Sequence, residues 1–73
     1  MAEHDRSVSV CRYDDGWHLV CYDSGVPVGG EIFPSLLMKE PFYDLSGRLI
    51  GQDYGYCCAH LDGRRFIETG ELP

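Results

Sequence analysis

The sequence predicts a mainly β fold: a small antiparallel meander of five to six strands curled into a barrel or half-barrel, with one short helix or helical turn near residues 35–40. Three observations carry this prediction. Residues 7–23 alternate across a tight Asp-Asp-Gly turn, similar Asp/Gly turn signals recur along the chain, and only one segment reads as helical.

The first hairpin organises the rest. Val8 and Val10 alternate with Ser9 and Cys11, and Leu19 and Cys21 alternate with His18, Val20 and Tyr22. These residue types suit a pleated, half-buried surface. Asp14-Asp15-Gly16 between the two runs is a hairpin signal, because glycine takes a positive φ without steric cost. Two registers fit. A two-residue Asp15-Gly16 loop groups Val8, Val10, Trp17, Leu19 and Cys21 on one face, whereas a three-residue loop groups Cys11, Tyr13, Trp17, Leu19 and Cys21. Both faces carry apolar residues in either register, so the hairpin is expected to be covered on both sides, by its own chain or by a partner.

Before the hairpin, residues 1–6 are charged and aperiodic and read as a flexible tail, leaving 7–73 as a single small β-domain. After it, Asp23-Ser24-Gly25 makes a second turn into VPVGGEIF. Pro27 lacks an amide donor and places that strand at an edge or a bulge, and Gly29-Gly30 marks a bend or bulge after which 31–33 pair on a new line. Pro34 suits a first helical turn and Pro41 a stop, hence the short helix between them. Ser46-Gly47 is a further turn. Residues 54–61 and 65–69 then read as a final hairpin across Asp62-Gly63, with His60 opposite Arg65. The uneven spacing of the Asp/Gly signals argues against a solenoid or propeller repeat, and curling the meander hides its edges.

Composition narrows the function classes. A chain of 73 residues buries only roughly 60% of the surface its unfolded form exposes, yet 44% hydrophobic content with five Tyr, three Phe and one Trp is enough for a packed core. A net charge of −6 lacks the basic footprint that a phosphate backbone requires, so direct nucleic-acid binding is disfavoured and basic partners or simple solubility are favoured. No signal-peptide pattern and no membrane-length apolar run is visible, and the Met start reads as that of a complete small frame, so a cytoplasmic protein is expected.

Chemistry-bearing residues are sparse. Cys11, Cys21, Cys57 and Cys58 show no CxxC spacing, and on a strand the adjacent pair points to opposite faces. Buried thiols behaving as small hydrophobes are the expectation, ahead of a disulfide or zinc. No metal site, cofactor or catalytic residue is assigned. His4 lies in the tail, and His18 and His60 read as hydrogen-bonded surface residues. The aspartates at 14, 15, 23, 44 and 62 are accounted for by turn chemistry, and Gly29-Gly30 opens no phosphate-binding helix.

The aromatic residues are more informative. Tyr13, Trp17, Tyr22, Tyr54 and Tyr56 combine dry rings with polar tips, the chemistry enriched at interfaces. The sequence therefore points to a non-enzymatic acidic module that binds a protein partner or a second copy of itself through an aromatic face, an accessory or regulatory factor of the kind found in bacteria. The alternative is a small-ligand or enzymatic site at a barrel mouth or subunit interface, built from Cys57, Cys58, His60 and Arg65.

Overall fold

The computed structural model describes residues 5–43 and 46–73. Five strands precede one helix: β1 (Arg6–Tyr13), β2 (Gly16–Asp23), β3 (Val26–Phe33), β4 (Leu37–Tyr43), β5 (Leu49–Asp53) and α1 (Tyr54–Thr69). The first three strands form an antiparallel sheet in the order β1-β2-β3, and β4 and β5 form a separate antiparallel pair. The protein is mainly β as expected, but the described strands do not close into a barrel.

The first hairpin closes around Asp14 and Asp15, with Tyr13 opposite Gly16, one position earlier than the expected two-residue loop and one residue shorter than the expected three-residue loop. Moving a two-residue loop by one position shifts the pairing by two, so the faces keep their membership. Val8 lies opposite Cys21, Val10 opposite Leu19 and Arg12 opposite Trp17, which is the first of the two expected groupings. Gly16 carries a φ of +126°, and a Cβ there would overlap the Phe33 carbonyl. The second hairpin turns on Ser24 and Gly25, both at positive φ (53° and 81°), the backbone signature of a type I′ turn.

β3 is an edge strand with a register shift opposite Cys21 and Tyr22. Cys21 faces Gly29 and Tyr22 faces Pro27, so Val28 is the extra residue. The expected bend or bulge at Gly29-Gly30 is thus a bulge one residue earlier, and 29–33 continue on the same line.

Two expectations are overturned. Residues 35–40 are not helical: Ser35 and Leu36 are connection, and β4 starts at Leu37. Ser35 and Leu36 instead spend their polar groups on Asp53, and the Tyr54 amide donates to the Leu36 carbonyl at 2.7 Å, tying this segment to the start of α1. The final hairpin is also absent, because 54–69 form one continuous helix through Asp62-Gly63. Cys57 and Cys58 are therefore consecutive helical residues and not opposite faces of a strand. His60 and Arg65 share α1 rather than facing each other across a ladder, and Asp62 is a helical residue rather than a turn residue. Asp44 lies outside the described residues, as does His4.

What makes α1 a helix is its ends and its small residues. Asp53, in an extended conformation, is the N-cap, accepting from the Tyr56 amide at 3.3 Å. Gly70 in the left-handed conformation is the C-cap, its N–H bonded to the Phe66 carbonyl at 2.8 Å. The last turn has no basic residue of its own. Arg6 supplies one from β1, its Nε donating to the Ile67 carbonyl at 3.1 Å and placing a cation where the helix dipole is negative.

At about 100° per residue, Gly55, Ala59, Gly63 and Phe66 fall within about 80° of one another. All four are buried. This narrow stripe lies on the inner face of the sheet, where Leu19, Cys21, Phe33, Ala59 and Phe66 form the core and Val8, Val10, Trp17 and Cys58 pack around it. Burying a side chain such as Leu19 or Phe66 contributes on the order of 2 kcal/mol. Small residues at 55, 59 and 63 let the helix axis come close. A Cβ on Gly63 would sit 3.1 Å from Leu19 Cδ1 and 3.3 Å from Val8 Cγ2, and one on Gly55 would overlap the Pro34 carbonyl. Cys57 lies on the far side of the helix, buried, with its thiol toward the Gly51 carbonyl of β5 at 3.9 Å. Sheet and β4–β5 pair thus hold α1 from two sides.

Candidate functional site

The described residues leave two surfaces with binding chemistry. The first is the sheet face turned away from α1. Register places Cys11, His18 and Ile32 in one row across the three strands, then Ser9, Val20 and Gly30, then Ser7, Tyr22 and Pro27, with Tyr13 at the end of β1. Tyr13 and Ile32 are 58% and 51% exposed, and Val20 and Tyr22 are half-buried. The protein spans 46 × 30 × 14 Å along its principal axes. A thickness of 14 Å accommodates one sheet and one helix, since a further layer adds roughly 10 Å. Among the described residues the chain itself covers the hairpin on one side only.

His18 is the polar centre of this face. Its Nε2 is 2.5 Å from Asp15 Oδ1, and its ring meets Tyr13 edge-on with centroids 4.5 Å apart. The His18 hydrogen bond holds the Asp15 carboxyl below its ordinary pKa, more than offsetting partial burial. The pair anchors the turn to β2 and orients the Tyr13 ring.

The second surface is a groove of about 420 Å³ between β1 and α1. Val8, Val10, Ala59 and Ile67 form its apolar lining, and Arg48, His60, Arg64 and Glu68 its polar lining. Arg64 Nε is 3.6 Å from Glu68 Oε2, one helical turn on. Trp17, Tyr56 and His60 run toward this groove as a line of rings, Trp17 meeting Tyr56 edge-on at 5.0 Å and Tyr56 stacking on His60 at 6.2 Å.

The five expected partner-binding aromatics are therefore distributed. Tyr13 and Tyr22 share the open sheet face. Trp17 and Tyr56 meet on the helix side, and Tyr54 is exposed at the start of α1, where the hydrogen bond its hydroxyl donates to Cys58 one turn on pushes the phenol pKa up. Among the alternative set only His60 lines the groove. Cys57 is buried, Cys58 packs beside the core, and Arg65 is exposed elsewhere on α1. The sequence reading missed Val20 and Ile32, although alternation against buried Phe33 could have found Ile32. It missed Arg48, Arg64 and the groove because these depend on a helix read as a hairpin.

All four cysteines are free. Burial pushes the Cys21 thiol up, assisted by the charge of Asp62, and burial pushes Cys57 up, assisted by Cys58 and Asp53. Neither is thereby activated as a nucleophile. Among the described residues no group of three or more His, Cys, Asp or Glu side chains gathers as a metal site, and no helix is long and apolar enough to cross a membrane.

Asp53 is the most heavily engaged carboxylate. Burial raises its pKa, but hydrogen bonds from the Ser35 hydroxyl and the Tyr56 and Leu36 amides, aided by the dipole of the nearby Trp17 indole N–H, prevail and hold it at about 2. Ser35 Oγ donates at 2.5 Å and the Leu36 amide at 3.3 Å. The Trp17 Nε1–H faces this charge without reaching hydrogen-bond geometry, so it is buried without a partner. Three capping and bracing hydrogen bonds account for this carboxylate, and among the described residues no general acid or base partner accompanies it.

No family model matches the chain, and no curated protein or solved structure matches it.

Proposed function

We propose that this protein is a non-enzymatic, acidic binding module that docks a protein partner on the open face of its three-stranded sheet. The observation that carries the reading is the group of Tyr13, Val20, Tyr22 and Ile32, left uncovered by the other described residues on a sheet whose opposite face packs against α1. Rigid aromatic and β-branched side chains on a flat sheet provide contact area at little entropic cost. The His18–Asp15 pair adds a polar rim. The small module would act by occupying a partner's surface, as an accessory or regulatory factor, in the cytoplasm.

The test is stoichiometric capture from host lysate by wild type and by a Tyr22→Ala/Ile32→Arg double variant, with Leu61→Ala on the outer helix surface as control. Capture should fall at least tenfold in the double variant and persist in the control, with the helical and strand circular dichroism of all three unchanged. Equal capture by the double variant would place the partner elsewhere. Sedimentation of the purified protein identifies the case in which the partner is a second copy.

A further inference from the structure

The two edges of the three-stranded sheet are unlike. β3 is guarded: Pro27 has no amide to offer, Val28 bulges out of the ladder, and Leu72 lies over Gly29. β1, with the sequence RSVSVCRY, has no proline, no lysine and no bulge. Among the described residues its only strand neighbour is β2. The Ser24 amide donates to the Asp5 carbonyl at 2.9 Å. In the alternation of an antiparallel ladder, residues 5, 7, 9, 11 and 13 therefore bond β2, and the amides and carbonyls of Val8 and Val10 point outward. The side chains of these same two valines line the groove beside α1.

We propose that β1 accepts an extended segment of another protein as a fourth strand, with two apolar side chains at alternate positions seated in the groove against Val8, Val10, Ala59 and Ile67 and acidic side chains at the flanking positions of the same face, opposite Arg6 and Arg12. Backbone pairing supplies the affinity and the groove supplies side-chain selection, as in strand addition generally. Charge selects the occupant. Arg6 and Arg12 share the face of Val8 and Val10, and Arg48 and Arg64 line the groove. Four of the chain's six Lys and Arg residues thus surround this edge in a protein of net charge −6. Glu68 beside Arg64 offsets part of this charge. A second copy is the poorer occupant, because pairing Val8 with Val10 of the copy sets Arg6 opposite Arg12, and like charges directly opposed are destabilising. Acidic side chains meet the rim favourably.

The inference uses a surface separate from the open face, so either proposal can fail alone. The test uses a fluorescein-labelled Val/Glu peptide with the core Glu-Ser-Val-Ser-Val-Ser-Glu, which puts both Val and both Glu on one face, the same peptide with Lys for Glu, and the Val/Glu peptide N-methylated at its valines. The Val/Glu peptide should give a saturable rise in anisotropy that weakens with added salt, and hydrogen exchange at Val8 and Val10 should slow. The Lys peptide and the N-methylated peptide should each bind at least tenfold more weakly, since one opposes the charge and the other removes the edge donors. Absence of saturable binding, or equal binding by either control, overturns the proposal. Slow exchange at Val8 and Val10 in the protein alone, with a doubled sedimentation mass, overturns it in favour of a second copy. An intact response in the Tyr22→Ala/Ile32→Arg variant separates this site from the open face.

Discussion

Asp15-Gly16 and Asp62-Gly63 are the same dipeptide, each set between apolar runs, and they have opposite structures. The first closes a hairpin and the second lies inside a helix. The glycines differ in what they do. Gly16 has a positive φ and a Cβ on it would overlap the Phe33 carbonyl, so the backbone itself requires the missing side chain. Gly63 has a helical backbone that any residue could adopt, and its missing side chain makes room for Leu19 and Val8. One glycine serves chain direction and the other serves packing between layers.

The largest expected effect breaks the first role. Gly16→Ala meets both an unfavourable φ and an overlap with backbone, which cannot rotate away. Together these should cost about 3 kcal/mol, read as a lower urea midpoint with little change in the denaturant slope. An effect below about 1 kcal/mol would show that the turn at Asp14-Asp15 relaxes more freely than its contact with Phe33 implies.

The comparison also explains how much was legible. The three-stranded sheet was legible because each strand alternates and each turn carries residues that favour its geometry, as Ser24-Gly25 does. The face shared by Val8, Val10, Leu19 and Cys21 followed from parity alone, which is why an incorrect loop position did no harm. The helix was not legible because its inner stripe is Gly55, Ala59 and Gly63, residues that add almost nothing to an apolar periodicity. Its most buried thiol, Cys57, lies on the opposite side against β5. Glycines at 55 and 63 also oppose intrinsic helix propensity, so tertiary packing overrides a local preference here. Usable signals were present: Asp53 as a cap, small residues every fourth position, and Gly70 as a stop. β4 was misread because Leu36, Leu37 and Met38 between two prolines suit either structure, and pairing with β5 decides. The open face was legible in kind, through Tyr13 and Tyr22. The groove was not, since it exists only between a strand and the unrecognised helix.

A middle-sized effect sharpens the contrast at the start of α1, where local capping overcomes those unfavourable glycines. Asp53→Ala should cost about 1–2 kcal/mol through loss of the cap, with Ser35 and Leu36 released as well. Asp53→Asn retains capping ability and removes the titration. The folded carboxyl has a pKa of about 2 against an ordinary 3.8, so its charge stabilises the fold above about pH 4, and that contribution is lost as pH falls toward 2. Urea midpoints of wild type and Asp53→Asn at pH 6, 4 and 2.5 should therefore diverge least at the lowest pH. A constant difference across that range would assign the stabilisation to shape rather than charge.

The smallest expected effect is the most diagnostic, because it falls on the second Asp-Gly. Gly63→Ala gains about 1 kcal/mol of helix propensity. Against this, the new Cβ meets Leu19 Cδ1 at 3.1 Å and Val8 Cγ2 at 3.3 Å. Both are side-chain tips, and a shift of a few tenths of an ångström relieves them, whereas the Phe33 carbonyl that confronts Gly16 belongs to a paired strand. The two terms should nearly cancel, leaving a net change within about 1 kcal/mol of zero. Helical circular dichroism should be unchanged. If residues 62 and 63 formed a hairpin turn, Gly63→Ala would instead cost as much as Gly16→Ala, so the ratio of the two measured losses distinguishes a turn glycine from a packing glycine. Gly63→Val adds β-branched bulk that the same two tips cannot clear. It should lift α1 from β1 and β2 and cost about 1–3 kcal/mol, first loosening the groove between Val8, Val10 and Ile67. Coupled loss of Val/Glu peptide binding in Gly63→Val, with binding retained in Gly63→Ala, would tie the spacing set by one missing side chain to the recognition proposed at the β1 edge.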